Sequence, residues 1–174
     1  VNQTKMNILV TGGLGFIGSH TIIELIKNNH DVIIADNLIN SKIEVLEKLS
    51  TITGIKPIFY QIDVTDEAKL EDIFKNHKID GVIHFAGLKA VGESVSKPLE
   101  YYYNNLVSTM VLSKLCVKYG IGKFVFSSSA TVYGDQQSPL KENMELKKTT
   151  NPYGETKAMS ERILTDTAKA NAAF

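Results

Sequence analysis

Short apolar runs alternate along the chain with longer segments in which apolar residues recur every three or four positions. Each short run is bounded by turn-forming residues and has the composition of a strand buried on both faces of a sheet. These runs cover residues 8–10, 32–35, 58–60, 82–85 and 124–126. The pattern predicts five strands.

The longer segments have the period of an α-helix. They cover residues 17–28, 42–51, 66–77, 99–119 and a last stretch from 153 onward. Strands that alternate with helices predict an α/β fold, here a Rossmann-type doubly wound parallel sheet with helices on both faces. In the fourth helix, one apolar stripe is expected to face the core. It consists of Leu99, Tyr102, Tyr103, Leu106, Met110 and Cys116.

The 174 residues have the length of one ordinary domain with a single core. No repeat or proline-rich linker divides them, and the one long loop is 134–152. We therefore expect residues 1–174 to form one Rossmann domain. The chain ends within a helical pattern, where a sixth strand would be expected next. We therefore expect the chain to be the N-terminal part of a longer protein, truncated before a C-terminal domain.

Composition narrows the class of protein. With 43% hydrophobic residues, 22% charged residues and a formal net charge of +0, the chain is typical of a soluble globular protein. Its basic residues form no run, so no nucleic-acid partner is expected. The N-terminal apolar stretch is too short for a signal peptide or membrane span. The single cysteine, Cys116, excludes an internal disulfide, which favours a reducing cytoplasm. No metal site is expected.

Glycines follow the first predicted strand and lead directly into a helix. Gly12, Gly15 and Gly18 have the spacing G-x-x-G-x-x-G. This spacing permits a tight turn, close approach of the backbone to a pyrophosphate, and close packing of helix on strand. The helix N-terminus also offers N–H groups and a positive dipole end to phosphates. The segment therefore predicts a dinucleotide site.

Further residues at strand ends support this interpretation. Asp36 closes the second strand, where a carboxylate accepts hydrogen bonds from the adenosine ribose hydroxyls. It would repel a 2′-phosphate, and no arginine follows within the next turn, so NAD is expected rather than NADP. Asp63 could accept from the adenine amino group. Ala86 and Gly87, after the fourth strand, could let the dinucleotide lie against the backbone.

Candidate catalytic residues follow the fifth strand and open the last helix. Tyr153 and Lys157 are four positions apart on one helix, so they share a face. A phenol has a reference pKa near 10. To act as a base at neutral pH, its pKa must fall by roughly three units, which corresponds to about 4 kcal/mol. A cation ~4 Å away supplies about that much at an effective dielectric of ~20. Ser129, at the strand end, can hydrogen-bond the same substrate hydroxyl.

Five motifs together resemble those of the extended short-chain dehydrogenase/reductase family, from about Lys5 to Asp166. They are T-G-G-L-G-F-I-G, D-N-L, H-F-A-G-L-K-A-V-G-E-S, S-S-S-A-T-V-Y-G and N-P-Y-G-E-T-K. The third is most similar to the family's 4-epimerases, which interconvert UDP-galactose and UDP-glucose in galactose metabolism. The resemblance implies NAD as cofactor and a UDP-hexose as substrate. The positions that match cofactor contacts are Gly12, Gly15, Phe16, Ile17, Gly18, Asp36, Asn37, Asn40, Ser41, Asp63, Val64, Phe85, Ala86, Lys89, Asn104, Ser127, Tyr153 and Lys157.

The same resemblance implies a mechanism. Tyr153, assisted by Ser129 and near Lys157, removes the proton of the sugar 4-hydroxyl while a hydride passes from C4 to NAD. Ser129 and Tyr153 are thus also substrate contacts. The 4-keto sugar turns over, and the hydride returns to its opposite face. The family's C-terminal portion carries most uridine and sugar contacts, so this chain alone is expected to turn over little or nothing.

Other interpretations stay open at this point. Sugar-nucleotide 4,6-dehydratases share the fold, the glycines and the Tyr–Lys pair. Their motif has Asp-Glu at the positions where this chain has Ser129 and Ala130. Decarboxylases and other epimerases of the group also stay open, because they differ from the 4-epimerases largely in the C-terminal portion. A non-catalytic dinucleotide sensor or scaffold is a further alternative, but it would not need a serine, tyrosine and lysine together. The resemblance also suggests a homodimer through helix 99–119 and the helix from 153, although ordinary packing would give the same apolar stripe.

Overall fold

A computed structural model describes residues 4–174, so the first three residues of the predicted domain lie outside the described part. Five strands form one parallel sheet in the order β3-β2-β1-β4-β5. They are β1 (Asn7–Thr11), β2 (Asp31–Asp36), β3 (Ile58–Gln61), β4 (Gly81–His84) and β5 (Phe124–Phe126). The predicted strands and the Rossmann-type sheet are confirmed.

In the described part of the chain, six α-helices and one short 3-10 helix connect or follow the strands. They are α1 (Phe16–Lys27), α2 (Glu44–Thr53), α3 (Glu67–Asn76), α4 (Val91–Ser96), α5 (Pro98–Tyr119), the 3-10 helix (Ala130–Tyr133) and α6 (Pro152–Ala170). The five predicted helices are present with ends shifted by a few residues. The sequence pattern missed α4 and the 3-10 helix, because one or two turns give too little periodicity to detect.

The sheet is buried on both faces, as its continuous apolar strands require. Successive side chains of a strand point to opposite faces, so Leu9 and Val10 of β1 enter different cores. One core contains Leu9, Ile33, Leu70, Ile73, Leu112 and Leu115. The other contains Val10, Ile34, Ile22, Ile26, Leu46 and Leu49. Helices α3 and α5 therefore cover one face, and α1 and α2 cover the other.

The buried face of α5 differs from the prediction. Of the predicted stripe only Cys116 is buried, whereas Leu99, Tyr103 and Met110 are exposed. The buried face combines Tyr101, Leu112, Leu115 and Cys116 with small or polar residues: Asn105, Ser108, Thr109 and Ser113. Such side chains let α6 pack closely, and their hydroxyls bond to carbonyl oxygens of the same helix. Periodicity found a stripe but assigned it to the wrong side.

Strand order reverses between β1 and β4, which lie side by side although two strands separate them in sequence. In open α/β sheets, ligands bind outside the carboxyl ends of strands at such a switch point. The topology thus brings Thr11, Asp36, His84 and Phe126 to one edge of the sheet. Within residues 4–174, none of the helices combines the length and apolar character of a bilayer span.

Candidate active site

A cleft opens at the carboxyl edge of the sheet, above β1, β2, β3 and β4. Twelve of the positions predicted to contact a cofactor line it: Gly12, Gly15, Asp36, Asn37, Asn40, Ser41, Asp63, Val64, Phe85, Ala86, Lys89 and Asn104. Of the rest, Phe16 and Ile17 are exposed at the start of α1, and Gly18 is buried there. Ser127, Tyr153 and Lys157 lie together beyond the end of β5.

The glycine turn leaves no room for side chains at two of its positions. Gly12 has φ +65, and a Cβ added there would lie 2.7 Å from the Ala86 nitrogen. A Cβ on Gly18 would lie 2.5 Å from the Gly12 carbonyl oxygen. Gly15 is the N-cap residue of α1 and carries no side chain to cap its first N–H groups. Gly15 lines the cleft, so α1 begins at the cleft edge, where the free N–H groups of a helix N-terminus suit a phosphate.

Asp36 is fixed at the rim of the cleft by three hydrogen bonds. Its Oδ2 accepts from the Leu14 amide at 3.0 Å, and its Oδ1 accepts from the Leu38 amide at 2.9 Å and the Ser41 hydroxyl at 2.7 Å. The side chain is 6% exposed. An ionised carboxylate has about four acceptor sites. Asp36 can therefore accept one more donor from a ligand while holding negative charge beside the glycine turn.

Asp63 presents a second carboxylate to the cleft. Its Oδ1 accepts from the amide (2.9 Å) and hydroxyl (2.7 Å) of Thr65, and its Oδ2 accepts from Asn37 Nδ2 at 3.2 Å. Partial burial raises the pKa of Asp63, but the bonds from Thr65 and Asn37 outweigh it, and the net pKa is below the usual range. Asp63 is thus an ionised acceptor, suited to an amino group.

Lys157 is buried beneath the end of β5. Its Nζ donates to the Ser127 carbonyl oxygen at 2.8 Å and lies 4.8 Å from the centre of the Phe126 ring. The same Nζ lies 5.9 Å from the centre of the Tyr153 ring. Burial lowers the pKa of Lys157 to about 8, so the ammonium still carries its charge at neutral pH. The structure brings the predicted tyrosine and lysine together on one face of α6.

Ser129 lies at the N-terminus of the 3-10 helix, just past β5. Its Oγ accepts from the Thr131 amide at 3.2 Å and from the Thr131 hydroxyl at 2.9 Å. Both of these bonds use lone pairs of the Ser129 hydroxyl, so its own hydrogen remains available to donate. The serine is therefore oriented to donate to an oxygen atom. As catalytic or substrate contacts, Ser129, Tyr153 and Lys157 remain predictions.

Sequence reasoning missed Asn105, which ties the cleft to α6. Its buried side-chain amide forms hydrogen bonds to both backbone groups of Leu88. The Oδ1 atom accepts from the Leu88 N–H at 2.8 Å, and Nδ2 donates to the Leu88 carbonyl oxygen at 3.0 Å. It also donates to the Thr156 hydroxyl at 3.0 Å, and that hydroxyl donates to the Tyr153 carbonyl oxygen. A polar residue on the buried face of a long helix was the available signal.

His84 was also missed, because it lay within an apolar strand pattern. The ring is fully buried, with Nδ1 2.6 Å from the Thr11 hydroxyl and Nε2 3.2 Å from the Thr109 hydroxyl. Thr109 donates to the Asn105 carbonyl oxygen, so it accepts from Nε2–H, and Nδ1 accepts from Thr11. Burial, then the nearby charge of Lys157, lowers the pKa of His84 to about 3. The histidine is a neutral link between β1, β4 and α5.

The glycine turn at the switch point and the carboxylate that ends the second strand are the features of a Rossmann-type dinucleotide-binding protein. Comparison with protein families agrees with this class. The chain belongs to the NAD dependent epimerase/dehydratase family, whose pattern matches residues 8–174.

Similar proteins give this membership more detail. The chain is 56% identical over 166 residues to UDP-glucose 4-epimerase of Neisseria meningitidis serogroup A, covering 95% of this chain and 49% of that protein. It is 55% identical over 170 residues to UDP-glucose 4-epimerase of Haemophilus influenzae, covering 97% and 50%. The crystal structure of UDP-glucose 4-epimerase from Bifidobacterium longum in complex with NAD+ and UDP is 53% identical, with a TM-score of 0.92 over 94% of this chain and 49% of that one. The chain spans about half the length of these relatives.

The lowered pKa of Lys157 predicts how stability changes with pH. The folded pKa is about 8 and the reference value is 10.5, so the unfolded chain binds more protons between these pH values. The free energy of unfolding should therefore rise with pH across this window, by up to about 3 kcal/mol, relative to Lys157→Met. Urea unfolding at pH 7 to 10.5 measures it. Lys48→Met, at an exposed position on α2, is the control, and parallel curves for all three proteins would contradict the prediction.

Proposed function

We propose that this chain is the N-terminal, NAD-binding half of an enzyme that interconverts UDP-galactose and UDP-glucose by inverting the sugar at C4. The observation that carries the proposal is that Tyr153 and Lys157 lie together beyond the end of β5, at the same sheet edge as the glycine turn. Ser129 follows the same strand. Names of the relatives support the substrate class. Cys116 is a free, buried thiol, which is compatible with a reducing cytoplasm as the proposed compartment.

The residues of the cleft fit NAD. The left-handed turn at Gly12 and the packing of Gly18 bring backbone N–H groups to the cleft, as a pyrophosphate needs. Asp36 has an acceptor site left for ribose hydroxyls, and Asp63 can accept from an adenine amino group. When bound, NAD would supply a hydride acceptor and donor. All proton chemistry then falls to side chains of this chain.

Tyr153 is the proposed acid–base group. The Lys157 ammonium stabilises a phenolate nearby, so the tyrosine can take the proton of the sugar 4-hydroxyl. Ser129, with its hydrogen available to donate, orients the same oxygen. When the 4-keto sugar has turned over, the phenol returns the proton to the C4 oxygen. Ala130, beside the serine, cannot supply the extra carboxylate that water elimination requires, which disfavours a 4,6-dehydratase.

Removal of the phenol hydroxyl tests this role. In the full-length enzyme, Tyr153→Phe should retain bound NAD but convert UDP-galactose to UDP-glucose at least ~10²-fold more slowly, because the acid–base group is lost. Turnover and cofactor content are measured on the same preparation. Tyr119→Phe, which removes a hydroxyl bonded to Glu71 at the far end of α5, should be close to wild type. Undiminished turnover in Tyr153→Phe would remove this tyrosine from the mechanism.

The charge at Asp36 generates a prediction about cofactor choice. Asp36→Ala should weaken NAD binding and reduce the preference for NAD over NADP, because a 2′-phosphate no longer meets a carboxylate. Titration of the chain with each dinucleotide measures both effects. Asp31→Ala, at the opposite end of β2 and in an exposed ion pair with Lys5, should change neither. An unaltered preference in Asp36→Ala would argue that other groups select the cofactor.

We further propose that the enzyme is a homodimer through α5. Leu99, Tyr103, Met110 and Val117 are exposed on this helix, Leu99 and Tyr103 by 82% and 65%. Tyr103, Met110 and Val117 are seven residues apart, the repeat by which one helix packs along another. A row of large apolar side chains is costly in water and marks an interaction site. A second copy would bring the same row, so two copies can cover each other.

A charge within this row should dissociate the dimer. We expect full-length wild type to have the mass of a dimer in analytical ultracentrifugation and Tyr103→Lys to shift toward the monomer, because a lysine would be buried against apolar groups. Ile52→Lys, at an apolar position of α2 that is 62% exposed, should remain dimeric. A monomeric wild type, or a dimer that tolerates Tyr103→Lys, would contradict the proposal.

A further inference from the structure

The short helix α4 lies between the cleft and α6 and is held in place by a buried tyrosine. Tyr101 of α5 is 1% exposed, and its hydroxyl donates to Glu93 Oε2 at 2.8 Å. The same hydroxyl accepts from the amide of Ala90, the N-cap residue of α4, at 3.1 Å. One side chain therefore fixes the start and the first turn of α4. Lys89, immediately before this helix, lines the cleft.

Ser94 is the buried residue of α4, with no exposed surface. Its hydroxyl donates to the Val91 carbonyl oxygen at 2.6 Å. Since a serine hydroxyl has one hydrogen, its lone pairs remain for donors from outside the helix. The amide of Tyr153 donates to them at 3.2 Å. Residues 59 positions apart in sequence are thus joined by a directed hydrogen bond.

This bond completes the N-terminus of α6. The first amides of a helix have no partner within it. In α6 the first residue, Pro152, has no N–H, and the amide of Gly154 donates to Asn151 Oδ1 at 2.8 Å. The amide of Tyr153 between them is not served by the N-cap side chain, and Ser94 supplies its acceptor. The amide of Tyr153, in the first turn of α6, is therefore capped by a side chain of a different helix, α4.

We infer that Ser94 is a positioning residue for Tyr153. By accepting the Tyr153 amide, Ser94 fixes the backbone that carries the phenol, and Tyr101 fixes Ser94 in turn through α4. The phenol ring is thereby held with its centre 5.9 Å from the Nζ of Lys157. This inference rests on the proposed function, because it assigns Ser94 to the placement of the acid–base group. A shift of about 1 Å in such a group can reduce a rate by as much as ~10².

Three variants of the full-length enzyme distinguish the effect of losing the hydrogen-bond acceptor from the effect of changing the side-chain volume. Ser94→Ala removes the hydroxyl, and Ser94→Cys keeps a side chain of similar shape whose sulfur is a weak acceptor. If Ser94→Ala failed to fold, the cysteine variant would still provide the test. Ser96→Ala is the matched control, since Ser96 lies on the same helix and bonds to the Glu93 carbonyl oxygen at 3.0 Å, but is exposed.

Steady-state kinetics give the first readout. In Ser94→Ala and Ser94→Cys we expect kcat for UDP-galactose to fall about tenfold, while KM and bound NAD stay within about twofold of wild type. Ser96→Ala should match wild type. Wild-type kcat in both Ser94 variants would overturn the inference, because the hydrogen bond would then not affect the reaction. Full activity in Ser94→Cys alone would indicate a packing role, and a fall in kcat with a higher KM and weaker NAD binding would indicate general damage; either result would also overturn it.

Amide hydrogen exchange gives a readout independent of activity. The amide of Tyr153 should exchange faster in both Ser94 variants than in wild type or Ser96→Ala, because it has lost its acceptor. Unchanged protection would overturn the inference even if activity fell. If wild-type enzyme with bound NAD did not convert UDP-galactose, the proposed function would fail and the catalytic part of this inference with it. Wild-type turnover with unaltered Ser94 variants would overturn the inference alone.

Discussion

The ammonium of Lys157 keeps its charge inside the protein, and the groups around it compensate for its burial. Burial disfavours the charged form of Lys157 and lowers the pKa of this residue to about 8. The carbonyl oxygen of Ser127 and the face of Phe126 offset part of this penalty. The Ser127 carbonyl group lies just past the last residue of β5, where it accepts from a side chain. The charge then lies beneath Tyr153, where it can stabilise a phenolate.

A buried polar network joins α6, the helix that carries Lys157, to the cofactor cleft. Asn105 holds the backbone of Leu88 at the cleft and the hydroxyl of Thr156 on α6. His84 links Thr11, at the start of the glycine turn, to α5. Among the described residues, no buried side-chain nitrogen or oxygen lacks a partner. A fully satisfied network of this kind specifies one arrangement, so the dinucleotide cleft and the helix that carries Tyr153 and Lys157 are held as one unit.

What the sequence predicts well here is geometry that spacing itself encodes. Three glycines at fixed intervals allow one turn, and a tyrosine four residues before a lysine must share its helix face. The sheet follows in the same way from alternating apolar runs. Predictions failed where contacts join distant segments. The buried face of α5 mixes small and polar residues with apolar ones, so the row of large apolar residues pointed to the wrong side. Asn105 acts through backbone groups that no local pattern reveals.

In the proposed mechanism the phenol of Tyr153, its anion stabilised by Lys157, takes up and returns the hydroxyl proton of the sugar, while the C4 hydrogen leaves and returns as a hydride. A phenolate can take an O–H proton but is far too weak a base for an unactivated C–H bond. The most direct test is to supply full-length enzyme with UDP-galactose deuterated at C4 and to examine the UDP-glucose formed by mass spectrometry and NMR. The account predicts that deuterium remains at C4, whereas its loss to solvent would contradict it.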